Sequence, residues 1–478
     1  MEEKPEIQIS ETNRGREQII VNKKYKYNYS FTKKDNSKIY RCTEYKTLNK
    51  CRSFIILNDK KEVLEYERSH NHLEKEFNVS ISIMKHKMKK EIKKNSIPFN
   101  IKPKRIFNEI SQEMGLICPE YSTVKSQIMR NINKILPPNI SNFNEIPNVS
   151  EYYKTEKNEN FMIFKNHNLI IFQSPFQAKL FSNYCEDIFA DGTFYVAPNI
   201  GYQVFITRIF VPKINCFYTT SVSILKNKEQ ATYEILFDEI KKNVYKVNNN
   251  TVINPKNIHC DFEKSISNAA KKIFPEINIK YCIWHYKRSL EIHKNKLCYK
   301  EVENNNNIQI YYKAILNFPF INPEYILFIF YKIKNVSQIN KYNQFLEFLK
   351  YFQNTYLFYY DVTYWNYYDN IEHTTNNASE SFNCYLNSLF SKKPSFFKLI
   401  YILKKEEYLS LKDYERRITG VWKKKRRING KTDQIKLIIE NYKNMETYLI
   451  SYGENINNIA ELWFECLINL NSRITNLY

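Results

Sequence analysis

From residue 21 to 75, apolar and polar residues alternate in short runs: YKYNYSF, KIYRC, CRSFIIL and EVLEYER, separated by breaks such as KKDNS and NDKK. Alternation with period two, bounded by turn residues, predicts a small β module. The first twenty residues are polar and are expected to be mobile. Between 78 and 136 the period lengthens. IKPKRIFNEISQEM and STVKSQIMRNINKIL place apolar residues at helical spacing, with CPEY in the turn between them, and predict two short amphipathic helices. The stretch PPNISNFNEIPNVS (137–150) reads as a linker. Strands are then expected at 186–191, 202–211, 216–225, 257–261 and 277–282, with helices at 228–247, 263–273 and from 284. Three neighbouring strands followed by helix–strand–helix–strand predict a mixed α/β layer. Residues 300–372 read as helical, aromatic and basic, 376–392 as one helix and 395–478 as several more.

A chain of 478 residues can hold two or three domains. Hydrophobic residues at 43% and aromatics at 15% indicate a folded protein. A net charge of +22 favours a polyanionic partner, nucleic acid first and an acidic membrane surface second. Abundant Lys, Asn, Ile and Tyr also fit an AT-rich coding bias. The run YILFIFY (325–331) is far short of the ~18 apolar residues of a membrane span. The start, MEEKPEIQIS, does not resemble a signal peptide. A reducing compartment is therefore expected, where clustered Cys and His suggest metal before disulfides. Neither GxxxxGK[ST] nor GxGxxG occurs, which argues against a P-loop or dinucleotide site.

Three acids stand out by position. Asp191, followed by the rare Gly192, lies inside a strand that should face a core, where an unpartnered charge is costly. Asp261 ends a later strand, where open α/β sheets build their sites. Glu380 opens a helix that Asn376 or Asn377 could cap. Each has a bland alternative: Asp261 could cap the helix that follows it, and Glu380 could favour a helix N-terminus. If the fold brings them together, three carboxylates can hold two divalent ions for an in-line phosphoryl displacement. Glu263, two residues after Asp261, could be a supporting ligand.

Asp191 in DGTF, Asp261 in CDFEKS, Cys282 and His285 in YCIWHYKRSL, and Glu380 in TNNASESFN resemble, in that order, the MULE (Mutator-like element) transposases. The resemblance covers roughly residues 160–390. It implies an RNase H-like fold with a catalytic triad of Asp191, Asp261 and Glu380 holding Mg²⁺ or Mn²⁺. A helical insertion would separate the second Asp from the Glu, where 300–372 sits. Cys282 and His285 are a signature of the family; a structural role near the site is favoured over zinc, with Cys260 and His259 as the mates a zinc site would need.

Cys42, Cys51, His70 and His72 form the pattern C-x8-C-x18-H-x-H, which supplies the four ligands of a tetrahedral zinc site. His70 and His72, two apart, would share a face on a strand. A small β module with a thin core needs such a staple. YNYSF, IYRC, CRSF and HNH resemble a FLYWCH-type zinc finger, with Tyr40 where that family usually has Trp. The implied role is binding DNA through a β surface, with Lys33, Lys34, Lys38, Arg41 and Arg52 as candidate phosphate contacts. WKKKRR (422–427) reads as a nuclear address, a backbone clamp or a solvated helix face. The helices of 102–135 read as a helix-turn-helix or as a packing subdomain.

The expected organisation is a FLYWCH-like finger at 19–76 and a helical DNA-binding or linking region at 77–150. The first part of the RNase H-like core follows at 151–300 and a helical insertion at 301–372. The helix bearing Glu380 spans 373–392, and a helical C-terminal region 393–478. The expected function is a nuclear DNA transposase, in a possible homo-oligomer, that binds double-stranded terminal inverted repeats and target DNA. The alternative is a domesticated, non-catalytic DNA-binding regulator. No membrane partner is expected.

Overall fold

The computed structural model describes residues 5–12, 15–94, 99, 102–374, 377–390, 392–424 and 431–474, with the backbone alone at 377, 431 and 471–474. The chain divides into two compact units, Met1–Pro138 and Asn139–Tyr478. Among the described residues no helix is long and apolar enough to cross a membrane.

The first unit opens with a six-stranded antiparallel meander. Its strands are β1 (Ile7–Glu11), β2 (Glu17–Val21), β3 (Tyr25–Thr32), β4 (Lys38–Cys42), β5 (Phe54–Leu57) and β6 (Val63–Glu67), in chain order. The described part of the first twenty residues is thus not a mobile tail: β1 and β2 pair in register from Ile7↔Val21 to Glu11↔Glu17. Ile19, Ile20 and Val21 are fully buried, and these few apolar residues outweigh their polar neighbours because both sheet faces are covered. One face carries Ile19, Val21, Tyr27, Tyr40, Ile55 and Leu57. The other receives α1 (Glu76–Lys94), whose Val79 and Ile83 close over Ile20. With α2 (Pro103–Met114) and α3 (Tyr121–Ile135), α1 forms a three-helix core from Met84, Met88, Ile106, Phe107, Ile110, Val124 and Ile128. The α2 helix starts on a proline that needs no N–H there and stops at Gly115, whose φ of +62° suits glycine.

The second unit holds β7 (Met162–Lys165), β8 (Leu169–Phe172), α4 (Pro175–Asn183), β9 (Asp187–Thr193), β10 (Gln203–Val211), β11 (Cys216–Leu225), α5 (Gln230–Val247), β12 (Asn257–Cys260), α6 (Lys264–Ile273) and β13 (Asn278–Tyr281). The sheet order is β13-β12-β9-β10-β11-β8-β7. The strands β9, β10 and β11 form an antiparallel meander, while β12 runs parallel to β9 and β13 parallel to β12. The expected mixed α/β layer is present, extended by β7, β8 and α4, whose four-residue strands give no readable period. The helix α5 covers the sheet face of Ala190 and Phe205, with Phe205 5.1 Å from Tyr233. The segment read as a linker buries Ile140, Phe143 and Ile146, three residues apart, and Ile146 O accepts from Lys165 of β7, so it is an ordered part of the second unit.

After β13 the chain turns helical: α7 (Ile283–Leu297), α8 (Tyr299–Glu303), α9 (Asn306–Asn317), α10 (Pro323–Ile339), α11 (Asn343–Phe352), a π turn (Gln353–Tyr359) and α12 (Val362–Trp365). Its interior is aromatic: Tyr286, Phe318, Phe330, Phe345, Phe348, Phe352, Tyr356 and Trp365 are all buried. Then follow α13 (Asn377–Ser388), α14 (Phe396–Ile418), α15 (Lys431–Ser451) and α16 (Ile456–Ile474). Among them α13 lies on β9, while α16 packs on α9 and α10.

Candidate functional site

On β9, residues 187, 189, 191 and 193 point to one face. That face receives α13: Asn383 donates to Asp191 Oδ2 at 2.6 Å, and Thr193 donates to Asn387 Oδ1 at 3.2 Å. The parallel register pairs Asn257 with Asp187 and His259 with Phe189. Continued past Cys260, the same offset of 70 sets Asp261 beside Asp191, so the sequence spacing of the two acids is the register of the strand pair. The backbone of Cys282 donates to Cys260 O at 2.9 Å, which starts α7 next to Asp261. His285, in the first turn of α7, then brings Nδ1 to 2.9 Å from Asp261 Oδ1 and 3.8 Å from Glu380 Oε1. Four elements, the ends of β9 and β12 and the starts of α7 and α13, deliver these groups to one place.

Asp261 Oδ1, His285 Nδ1 and Glu380 Oε1 are buried, close together and outside hydrogen-bond geometry with any partner. Cys282, His285 and Glu380 also offer ligand atoms within 4.8 Å of one another. Such a convergence of orphaned donor atoms is what a bound cation requires. The carboxylates fit a hard divalent ion, and the imidazole is tolerated by Mn²⁺. The electrostatics agree. Burial, then Asp261 and Glu380 nearby, push the Asp191 carboxyl up to about 7. Burial raises Glu380 as well; His285 pulls against this and Asp261 adds to it. Burial alone would lower His285, but the adjacent Asp261 and Cys282 hold the imidazole up to about 10. The imidazolium is thus the positive charge that the metal-free acid cluster keeps.

Other residues are engaged elsewhere. Glu263 does not join the cluster: it pairs with Lys228 at 2.6 Å and accepts from Tyr233 at 3.0 Å. Tyr233 in turn accepts from Gln203 at 2.6 Å, and a Cβ on Gly192 would come within 2.5 Å of Gln203 Oε1. A side chain at 192 would therefore have to displace the Gln203 amide behind the strand. His259 contacts Asp187 at 2.9 Å and stacks on Phe189 at 4.5 Å, so it is no mate for Cys282 and His285. Cys260 is fully buried. Asn376 lies outside the described residues, as does the side chain of Asn377.

Two contributors were not legible beforehand. Asn383 closes the TNNASESFN motif and falls one helical turn after Glu380, on the same face; that spacing is the signal for it. Arg208, buried on β10, donates Nη1 to Ala378 O in the first turn of α13 and Nη2 to Phe217 O at 3.0 Å. Its guanidinium lies 4.7 Å over Phe382, and burial pushes it down to about 10. An arginine in the apolar run FITRIFV is the visible trace of that anchor.

In the first unit the four Cys and His residues meet. His72 Nε2 is 3.3 Å from Cys42 Sγ, His70 Nδ1 is 3.4 Å from Cys51 Sγ, and the two ring nitrogens are 3.1 Å apart. Ligand atoms on one tetrahedral zinc at ~2.0–2.3 Å lie roughly 3.3–3.8 Å from each other, so the set fits that ion. The outer nitrogens are held too: His72 Nδ1 contacts Leu73 O at 3.0 Å, and His70 Nε2 contacts Tyr27 OH at 2.8 Å. That presents Nε2 of one ring and Nδ1 of the other inward. Burial, and His72 beside it, lower His70 to about 4, which keeps it neutral as a ligand must be. The two histidines sit in the irregular segment after β6, not on a strand, and converge through the loop instead. Tyr40 is buried and donates to Glu17. In the basic run, Trp422 lies under Arg416 at 4.7 Å, and 425–427 fall outside the described residues.

Residues 188–289 match the family model of the MULE transposase domain, and residues 9–72 match that of the FLYWCH zinc finger domain. This is the architecture the motifs indicate, with the finger match starting inside β1, before residue 19, and so taking in β2 as well. No curated protein matches the chain.

Proposed function

We propose that this chain is a DNA transposase of the Mutator-like type. Its finger would bind terminal inverted repeats, and its second unit would cut phosphodiesters and transfer strands. The observation that carries the reading is the convergence of Asp261, Glu380 and His285 beside Asp191; the region matching the MULE model holds all of these but Glu380, which lies beyond its end. An RNase H-like core is supported by the sheet: three antiparallel strands in hairpin order, then two parallel strands on the far side of the first. Asp191, Asp261 and Glu380 would hold Mg²⁺ or Mn²⁺. Bound there, such ions supply an activated water or 3′-hydroxyl and neutralise charge at the leaving oxygen. The chain's own part is positional. Asn383 fixes Asp191, Arg208 ties the start of α13 to the sheet, and His285 keeps Asp261 and Glu380 together when no ion is bound. The finger would hold one structural zinc through Cys42, Cys51, His70 and His72. A nuclear location and work as a multimer belong to the same reading.

The test is cleavage and strand transfer on labelled DNA flanking the chain's own gene, with Mg²⁺ or Mn²⁺, beside Asp191→Asn and Glu380→Gln. Metal-dependent cutting that disappears in both variants is expected. Specific binding without cutting by the wild type would favour the domesticated regulator.

A further inference from the structure

The face of the first sheet that meets α1 is apolar only at its centre. Across β2 and β3, Ile20 pairs with Lys26 and Gln18 with Asn28. Ile20 goes under Val79 and Ile83. Beside that contact, sheet and helix enclose a cleft of about 530 Å³ lined by Lys24, Lys26, Asn28, Lys75, Ser82 and Lys85. Two of its lysines are answered by acids: Lys24 meets Glu74 at 3.0 Å and Lys75 meets Glu44 at 2.7 Å. The cleft's other acid, Glu11, is engaged by Lys89. Lys26 and Lys85 have no ion-pair partner among the described residues. Both are half-buried. Burial lowers the Lys26 ammonium below its ordinary range, and the nearness of Lys85 and Lys75 adds to this.

Like charges gathered in a partly desolvated cleft oppose folding, and an anion placed between them removes that opposition. Asn28, Ser82 and Thr43 add neutral donors around the same space. A second polar groove of about 710 Å³ shares Thr12, Asn28 and Thr43 with the first and carries Arg16, Arg41 and Lys46. The cations therefore run on in a row, which suits a repeating anion better than a single small one.

We propose that the cleft between the finger sheet and α1 binds a backbone phosphate of nucleic acid, with Lys26 and Lys85 as its cationic contacts. Finger and helix then grip one strand together, so the binding footprint extends past the finger itself. This rests on the DNA-binding reading above. A phosphate contact of this kind sets register and affinity and carries no sequence preference of its own.

The experiment measures affinity of the full chain for flanking and for unrelated duplex DNA across a salt series. The Lys26→Gln/Lys85→Gln double variant is compared with a charge-matched control, Lys300→Gln/Lys313→Gln. Retained zinc content and a melting temperature no lower than that of the wild type certify the fold. Losing the one phosphate contact that the two lysines share lowers the slope of log K against log salt by about 0.9. That drop is expected on both DNAs in the double variant and not in the control. A wild-type slope in the double variant overturns the cleft. Absence of DNA binding by the wild type removes the functional reading as well. A melting temperature that rises with inorganic phosphate alone, and does so only when both lysines are present, would reassign the cleft to a free anion and overturn the backbone proposal.

Discussion

Asp191 is only 9% exposed, and its two oxygens take their hydrogen bonds from the Gly192 N–H at 2.7 Å and from Asn383 at 2.6 Å. An ionised carboxylate in that position is oriented by the amide and destabilised by Asp261 and Glu380. The amide thus sets where the carboxylate points, while the neighbouring acids create the demand for a cation. Groups that orient a ligand without touching the metal typically matter by about 10–100-fold in affinity or activity. Asn383→Ala is therefore expected to weaken Mn²⁺ binding, and any metal-dependent cutting, by a factor in that range, with an unchanged melting temperature in the absence of metal. Isothermal titration with Mn²⁺ reads the first quantity directly. Wild-type affinity in the variant would mean that Asp191 needs no such support.

At the scale of single elements, α13 depends on a strand it does not follow in sequence. Arg208 on β10 reaches Ala378 O while also serving Phe217 O, and its charge is buried under Phe382. Hydrogen bonds from a charged group contribute roughly 1.5–3 kcal/mol. Arg208→Met keeps the stem and removes the donors. Amide exchange over 377–388 should speed up while β9–β11 stay protected, and metal affinity should fall with it. Equal exchange in both proteins would leave α13 held by packing alone. A second element offers a pH test. Ser174, which caps α4 in a capping box with Gln177, donates to the buried Glu407 of α14 at 2.7 Å. Burial raises the Glu407 carboxyl above its ordinary range. A raised carboxyl supports the fold fully while protonated, and that support is lost as pH rises through its folded pKa. Glu407→Gln is thus expected to melt higher than wild type at pH 7.5, with the gap closing toward pH 4. These two contacts also show which elements the sequence could reveal. The strands β9 to β11 are long, nearly continuous apolar runs and the helix α5 has a long helical pattern, and the distance from Asp191 to Asp261 is the strand register itself. The strands β1, β2, β7 and β8 are four or five residues long; β1 pairs with β2 and β7 with β8 close by in the chain, while β8 takes its other neighbour, β11, from far along it. Arg208 and Glu407 belong to the same class, because their partners lie 170 and 233 residues away.

For the whole molecule, the two proposed metal centres sit in separate compact units with unequal need of them. The sheet of the first unit has a core of few residues, and its Cys42, Cys51, His70 and His72 close the open end of that core. Structural zinc of this kind contributes about 10–16 kcal/mol of apparent binding free energy, as much as the whole stability of an ordinary domain. The second unit holds a core that runs from the sheet through the aromatic helices to Trp463, and no metal ligand is needed to complete it. Chelation and Cys51→Ser should therefore act on the same unit and spare the other. Calorimetry of the full chain with excess phenanthroline is expected to lose the transition of the first unit while that of the second keeps its temperature. Readdition of zinc should restore the lost transition, and Mg²⁺ should not. Cys51→Ser should reproduce the chelated trace with zinc present. If instead both transitions move together on chelation, the units do not fold independently, and the stapling of the first sheet would have to be counted in the stability of the second unit as well.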